Sequence, residues 1–519
     1  MLRRLVVALT TLLGLVGVTV IAAYLLVFAA GTDRAAGAVP ADANAYVTAY
    51  LQPSTGQQLN LASMLGNVPG FEDAAGLDQK LHEISARFLG QAGIDYQADV
   101  RPWIGNQLSV AALPGDTPST PRLLLVAAVK DAALAEAALP RLAAGRGLAA
   151  QQAIHQGTVM HIAPEAAWAL QDTLLLVASD RPTLEQALDA SAGRRAALSD
   201  DAAFNAAMRR LPADHLAAGY VNLSGAATTS GISDGLPGYS TLSVALVAEA
   251  EGLRLEGSAP FAEEAADDAG RAAFARAGQV STVANWMPAE TQLAAVVYDL
   301  GNLLDTAERG AELIPGGADV FSALNQLKFL AALGLGIDFD EDVLPLLAGE
   351  CGLAVVDLLS DAPHGQLVLR PADPAAGQAA LQRLRAALEG RGATVTEQPV
   401  GNALIIGVQV PQIGELHWAV PDQGVVIVGL THEDVAAALS TTAGASLADN
   451  PRYPDAWQLA GARGGNELFV DIGSLADASP DALGMTGDAR DILLSISALG
   501  VTLPARDDMS QLRAALTVR

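Results

Sequence analysis

One short stretch, written twice, constrains this chain more than anything else in it. The first copy is Gly93-Ile94-Asp95-Tyr96-Gln97-Ala98-Asp99-Val100-Arg101-Pro102-Trp103-Ile104-Gly105. The second is Gly336-Ile337-Asp338-Phe339-Asp340-Glu341-Asp342-Val343-Leu344-Pro345-Leu346-Leu347-Ala348-Gly349. Glycine, Ile-Asp-aromatic, Asp-Val, proline and a closing glycine recur in the same order, with one residue added before the last glycine. A repeat at the spacing of a whole domain implies two similar units in tandem, so the architecture is read with that in view. The residues that carry the signature are Gly93, Asp95, Asp99, Pro102, Trp103 and Gly105, then Gly336, Asp338, Asp342, Pro345 and Gly349.

The flanks repeat as well. Pro40-Ala41-Asp42 leads into the alternating Ala45-Tyr46-Val47-Thr48-Ala49-Tyr50-Leu51, and Pro288-Ala289-Glu290 leads into Leu293-Ala294-Ala295-Val296-Val297-Tyr298. Both read as strands. Helical stretches are expected over 71–90, where Leu77, Leu81, Ile84, Phe88 and Leu89 share one face, and over 303–333. A strand follows each signature, at 108–113 and 352–357. Next come a strand and a helix in each copy: 123–129 with 131–144 behind the capping Asp131, and 366–369 with 373–388. Short strands at 149–155 and 158–162 match strands near Thr394 and over 404–410. Strand 172–178 matches 422–428, and each leads into a capped helix, 183–188 and 433–439. The copies close with 217–223 against 467–472, and with meanders at 241–258 and 492–518. Strands outnumber helices and adjoin one another. The expected fold class is therefore α+β, with mainly antiparallel sheets in two tandem duplicated domains, 39–262 and 279–519. Residues 263–278, with Glu263, Glu264, Asp267 and Asp268, read as an acidic helical connector.

Arg3 and Arg4 precede an uncharged, mostly apolar run over 5–30. A spanning helix needs about 20 such residues, whereas a cleavable leader usually has an apolar core of about 7–15. The run is read as an uncleaved signal-anchor with its N-terminus in the cytoplasm and the bulk of the chain outside. Ala36-Gly37-Ala38 matches the A-x-A pattern of a leader cleavage site, which keeps a cleaved, secreted form open. Residues 31–39 are expected to form a small linker. No later run has this length without charge or turn residues, so a single pass is expected.

The chain carries 30 Lys+Arg against 57 Asp+Glu, a formal charge of -27. That balance argues against nucleic acid as a partner, since phosphate binding needs a basic face. It also argues against a polybasic lipid-binding surface. The single cysteine, Cys351, opens the apolar run Cys351-Gly352-Leu353-Ala354-Val355-Val356 and reads as a buried core thiol. Neither a disulfide within the chain nor a Cys-x-x-Cys metal pair can form.

Several formal motifs fail on context. Gly231-Ile232-Ser233-Asp234-Gly235 matches the pattern of a hydrolase nucleophile turn, but that turn needs a strand before it and a helix after it, and loop residues flank it here. Gly145-Arg146-Gly147-Leu148-Ala149-Ala150 matches a dinucleotide fingerprint, but it follows a helix instead of opening one. Asp338, Asp340 and Asp342 alternate like the start of a calcium loop, but the sixth and twelfth positions are Val343 and Gly349 in place of glycine and glutamate. A capping or turn role is expected for Asp95, Asp99, Asp338 and Asp342. His155 and His161 could share a face of adjoining strands, yet no metal-binding histidine motif is present. Tyr96, Trp103, Phe339, Trp418 and Trp457 are expected in packing. No catalytic residue, cofactor or metal ligand is assigned.

The N-terminal apolar run, the Pro-Ala-Asp start and Asp99-Val100-Arg101-Pro102-Trp103-Ile104-Gly105-Asn106 together resemble the bacterial family known as domain of unknown function 3352. The resemblance covers nearly everything after the apolar run. The second copy departs from it, with Leu346 where Trp103 stands. The resemblance implies a location at the cell envelope and brings no catalytic residues with it. The function expected is a non-enzymatic, membrane-anchored binding module, with an envelope protein, a polymer or an apolar ligand as partner. A lipid or hydrophobic-ligand carrier is the first alternative. A hydrolase whose site is assembled from distant loops is the second.

Overall fold

Alternation of apolar and polar residues, rich in valine, leucine and alanine, dictates strands that bury one face at a time. The computed structural model describes residues 33–51, 54–68, 95–117, 120–145, 149–225, 237–302, 337–360, 363–410, 414–421, 424–441, 445–478 and 493–519. The chain divides into two compact units. One ends at Gly270 and takes in Asp507–Leu512 and Val518–Arg519; the other comprises Arg271–Arg506 and Arg513–Thr517. The division falls inside the helix Asp268–Arg276, within the stretch read as a connector. The structure is α+β and its sheets are antiparallel in the strand pairings given below.

The first unit contains β1 (Ala45–Tyr50), β2 (Ile104–Thr117), β3 (Thr120–Val129), β4 (Gln151–His155), β5 (Thr158–Ile162), β6 (Ala167–Gln171), β7 (Leu174–Ala178), β8 (Ala217–Asn222), β9 (Thr241–Glu249) and β10 (Gly252–Pro260). They pair antiparallel in the order β10-β9-β8-β1-β2-β3-β7-β6-β5-β4. The second unit contains β11 (Leu293–Tyr298), β12 (Glu350–Val356), β13 (His364–Arg370), β14 (Thr394–Val400), β15 (Ala403–Val410), β16 (Gly414–Ala419), β17 (Val426–Gly429), β18 (Glu467–Val470), β19 (Ile496–Thr502) and β20 (Ala505–Arg506). Its antiparallel order is β19-β18-β11-β12-β13-β17-β16-β15-β14. Strand β21 (Met509–Val518) lies beside β19. From β19 onward the second order matches the first position for position, with β11 in the place of β1 and β12 in the place of β2.

One face of each sheet packs into a core. In the first unit Tyr46, Ala111, Leu113, Leu124, Val126 and Leu176 meet Leu184, Leu188, Leu198 and Phe204. In the second, Ala294, Val296, Ala354, Val368, Ile427 and Phe469 meet Val435, Leu447, Tyr453 and Trp457. The helices over these faces are capped as their sequences require. Asp180 accepts from the Thr183 N–H at 2.8 Å at the start of the helix Arg181–Ser191. Thr431 and Asp434 form a reciprocal box at the start of the helix His432–Leu439.

Two expectations are corrected here. Residues 31–39 were expected to form a linker, but from Asp33 on this stretch is built into the first core, with Ala35, Ala36, Ala38 and Val39 all buried. Small alanines carry little hydrophobic signal of their own, and it is their neighbours that bury them. His155 and His161 do not share a face. His155 pairs with Thr158 and Gln152 with His161, so the period of two puts the imidazoles on opposite sides of the hairpin. The apolar run 5–30 and the expected helices 71–90 and 303–333 lie outside the described residues. Among the described residues no helix is long and apolar enough to cross a membrane.

Candidate functional site

Both signature stretches form one widened helical turn, Tyr96–Val100 and Phe339–Val343. In the first, the Arg101 N–H reaches back to the Tyr96 carbonyl at 2.7 Å. The Asp95 carboxylate accepts from the Gln97 and Ala98 N–H groups at 2.9 and 3.2 Å, while Asp99 accepts from the Asp95 N–H at 3.0 Å. Asp338 and Asp342 repeat this, with Asp338 accepting from Asp340 and Glu341 at 2.9 and 3.2 Å and Asp342 accepting from the Asp338 N–H at 2.9 Å. An aspartate and a second one four residues on thus satisfy backbone donors that the turn leaves orphaned. Asp342 also pairs with Arg383 at 3.0 Å. These carboxylates are occupied by the fold. Among the described residues no group of three or more His, Cys, Asp or Glu is placed to hold a metal ion.

The rest of the signature sets backbone spacing. Pro345 sits in the first turn of the short helix Leu344–Leu347, where its missing N–H costs nothing. Trp103 is buried and its indole N–H donates to the Asp99 carbonyl at 2.5 Å. Leu346, at the matching place in the second unit, is buried too. The closing glycines permit close approach of the next strand: a β-carbon on Gly105 would stand 2.9 Å from the Ala128 carbonyl carbon, and one on Gly349 would stand 2.0 Å from the Arg370 carbonyl oxygen. Gly349→Ala is therefore expected to cost about 3 kcal/mol, at the upper end of overpacking, and Gly105→Ala less; urea unfolding of the two variants checks the order. Gly93 and Gly336 lie outside the described residues, as do Ser233 and residues 146–148 of the glycine-rich match.

Each unit also holds a buried polar network that its sequence does not announce. The Arg34 N–H donates to Gln107 Oε1 at 3.0 Å, and the Thr282 N–H donates to Glu350 Oε1 at 2.9 Å. Gln107 is opposite Tyr50 in β1 and Glu350 is opposite Tyr298 in β11, so the two bonds occupy matching places. The charge is exchanged between them. In the first unit the carboxylate comes from Asp33, which accepts from the Tyr46 hydroxyl at 2.7 Å and from Gln107 Nε2 at 2.5 Å. In the second it comes from the strand, and the Ser281 hydroxyl donates to Glu350 at 2.5 Å. Burial, followed by the Asp33 charge, holds the Tyr46 hydroxyl well above its ordinary range and pushes Tyr50 up to about 12.

The second unit adds a buried charge cluster. Arg463 Nε reaches both oxygens of Glu467 at 3.0 and 3.1 Å, and its Nη2 donates to the Tyr453 hydroxyl at 2.6 Å. The guanidinium also lies 5.0 Å from the Tyr453 ring centroid and 5.9 Å from that of Trp457. Burial raises the Glu467 carboxyl above the usual carboxylate range; Arg463 opposes that rise and Glu350 adds to it. Burial also raises the Tyr298 and Tyr453 hydroxyls, with both glutamates contributing at Tyr298 and Glu467 at Tyr453. Cys351 is buried, and burial pushes its thiol up to about 12, which leaves no thiolate for nucleophilic work at neutral pH.

The faces opposite the cores carry matching apolar rows. In the first unit Val244, Gly219, Val47, Val110, Leu125 and Val177 are successive cross-strand partners. In the second the row is Val501, Leu468, Ala295, Leu353, Leu367 and Val428. Side chains directly opposite in antiparallel strands stand on the same side, so each row is one continuous strip. The helix Ala132–Gly145 covers part of the first face, where Leu125 and Val177 pack with Trp103, Ala127 and Leu175, and the helix Pro374–Gly390 covers part of the second, where Val428 packs with Cys351, Leu369 and Val426. Beyond these helices Val47 is 54% exposed and Val110 42%, and in the second unit Leu367 is 39% exposed. Isolated exposed aliphatics are ordinary; Val47 and Val110 are exposed side by side on adjacent strands, and Leu367 is the exposed member of the second row.

The remaining motif residues are placed in structural roles. His155 pairs with Asp189 at 3.0 Å, and His161 stacks on Trp168 with centroids 5.3 Å apart. Trp418 and Trp457 are buried, while Tyr96 and Phe339 are half-buried. Asp33, Glu350, Arg463 and Glu467 escaped the sequence reading. The one signal available was a glutamate at the head of an otherwise apolar strand, as in Glu350-Cys351-Gly352-Leu353 and Glu467-Leu468-Phe469-Val470.

Among solved structures, crystal forms III and I of TP0453 show a weak likeness. Form III is 11% identical with a TM-score of 0.27, covering 48% of this chain and 90% of that one; form I is 12% identical with a TM-score of 0.26, covering 45% and 80%. Likeness at this level carries no argument about fold or function. No curated protein matches the chain. The model of one protein family, described as a protein of unknown function (DUF3352), matches residues 5–518, and the chain therefore belongs to that family.

Proposed function

We propose that this chain is a non-enzymatic binding module of the cell envelope, single-pass through residues 5–30, with its bulk extracytoplasmic and a partner that is apolar. The observation that carries this reading is the pair of aliphatic rows, Val47-Val110-Leu125 and Ala295-Leu353-Leu367, at matching places on the sheet faces that turn away from Tyr46 and Phe469, with Val47, Val110 and Leu367 exposed. A long-chain lipid or another apolar ligand suits such a strip, because the strip offers area and no directional groups. A protein or polymer with an apolar stripe would fit the same chemistry. The repeat bounds 39–262 and 279–519, and their origin in a duplication, are part of the proposal. They are supported by the shared strand order and by the matching bonds at Gln107 and Glu350. The -27 charge keeps nucleic acid outside it.

Native mass spectrometry of the gently purified full chain is the direct test, followed by titration with a fluorescent long-chain fatty acid. Val110→Thr keeps the β-branched shape, and Leu367→Thr shortens the side chain; each adds a hydroxyl to the strip. Each is expected to weaken binding about threefold to tenfold with melting nearly unchanged. Folded protein that takes up no probe, or binds it equally well after both substitutions, would remove the apolar-ligand reading.

A further inference from the structure

We infer that the folded protein retains the residues on both sides of Ala36-Gly37-Ala38, so that no cut at this motif releases the apolar run 5–30, which stays joined to the first unit as a short tether. The tether rests on the proposed spanning role of that run; the retention of residues 33–38 does not. A leader peptide is discarded, so a mature fold does not depend on its residues. Here the residues that a cut after Ala38 would remove are part of the core. Ala35, Ala36 and Ala38 are 1%, 2% and 0% exposed and pack with Tyr46, Leu113, Leu124 and Leu198. The Asp33 carboxylate, in the same stretch, is held by Tyr46, by Gln107 and by the Ala36 N–H at 3.1 Å. Removing it would take the anionic acceptor from the Tyr46 hydroxyl and the Gln107 amide in a buried site and leave them the Ser109 and Thr48 hydroxyls, weaker partners than a carboxylate.

The backbone geometry agrees. Ala35–Gly37 is a tight helical turn with the Ala38 N–H bonded to the Ala35 carbonyl at 2.9 Å, which ties the motif into the fold. The Val39 carbonyl accepts from the Leu198 N–H at 2.7 Å, which fixes the far side of the motif. Only Gly31 and Thr32 stand between the apolar run and Asp33. So few peptide units span at most about 10 Å. The end of the first unit that holds Asp33 is thereby kept against the lipid headgroup surface, and that surface is the partner this end faces.

The test uses the full chain with a C-terminal tag, recovered from membrane and soluble fractions. Its N-terminus is read by intact mass after mild proteolysis has removed unfolded material. The expected result is protease-resistant chain that still contains residues 33–38. A protease-resistant chain beginning at Val39 overturns the inference. Uncut chain in the soluble fraction would uphold the retained core while removing the membrane reading of 5–30. A second measurement is independent of processing. Asp33→Asn in the full chain keeps the shape and deletes the charge, and it is expected to lower the melting temperature of the first unit by about 4–8 °C. Unchanged melting in that variant would show that the Asp33 charge does not anchor the stretch, and would count against the inference.

Discussion

Arg463→Ala is expected to destabilise the second unit by about 3–5 kcal/mol at neutral pH, the loss typical of stripping one partner from a buried ion pair. The Glu467 side chain is 1% exposed and that of Arg463 24%, so the variant leaves a buried carboxylate without its guanidinium partner. The loss should depend on pH in a set direction. Glu467 already titrates above the usual carboxylate range in the folded protein, through burial first. A carboxyl raised by folding contributes its full stability below the unfolded value and loses it as pH rises through the folded value. Losing Arg463 raises the folded value further. The variant should therefore be nearest to wild type at mildly acidic pH and fall away toward neutrality. Urea unfolding across that range measures this, and adding Glu467→Gln to the variant should flatten the dependence. A loss independent of pH, or below about 1 kcal/mol at neutrality, would mean that the pair does not hold the unit together.

Trp103→Ala is expected to cost the first unit about 3–5 kcal/mol, as for other fully buried tryptophans. The ring packs against Ala127, Val129, Ala135, Ala138 and Leu175, and alanine neighbours cannot expand to fill the space left behind. The indole donor to Asp99 is lost with it, which loosens the turn that Asp95 and Asp99 hold. Trp103→Leu copies what the second unit has at Leu346, and should cost only about 1–2 kcal/mol. Chemical denaturation separates the cases: near-equal losses for the alanine and leucine variants would place the energy in the indole hydrogen bond, and no loss in either would contradict the burial argument.

How much of this was legible beforehand varies with the kind of residue. The signature aspartates were readable as capping or turn residues because the cap is a local matter: Asp95 reaches donors two and three residues on, and Asp338 does the same. The helix behind Asp131 was equally plain, with the Leu134 N–H donating to that carboxylate at 3.0 Å. Strands β6 and β16 were not anticipated. Ala167-Trp168-Ala169-Leu170-Gln171 and Gly414-Glu415-Leu416-His417-Trp418-Ala419 are short, lack β-branched residues and alternate weakly. Their pairing with β7 and β17 supplies what propensity does not.

The sites were less legible than the elements. Glu350 and Glu467 are unremarkable letters until the fold buries them among Ser281, Thr282, Arg463 and Tyr453. Asp33 reads as one more polar residue beyond an apolar run until β1 and β2 bring Tyr46 and Gln107 to it across long separations in the chain. The aliphatic rows are distributed over strands far apart in sequence, and no window contains them. By itself, then, the sequence determined what acts over a few residues: the repeated signature, the caps, most of the strands and their antiparallel α+β class. Only the tertiary structure decided which polar groups are buried together, that the alanines of residues 33–39 are core and not linker, and that aliphatic side chains far apart in the chain line up across each sheet. Burial and non-local pairing depend on neighbours that no local stretch encodes.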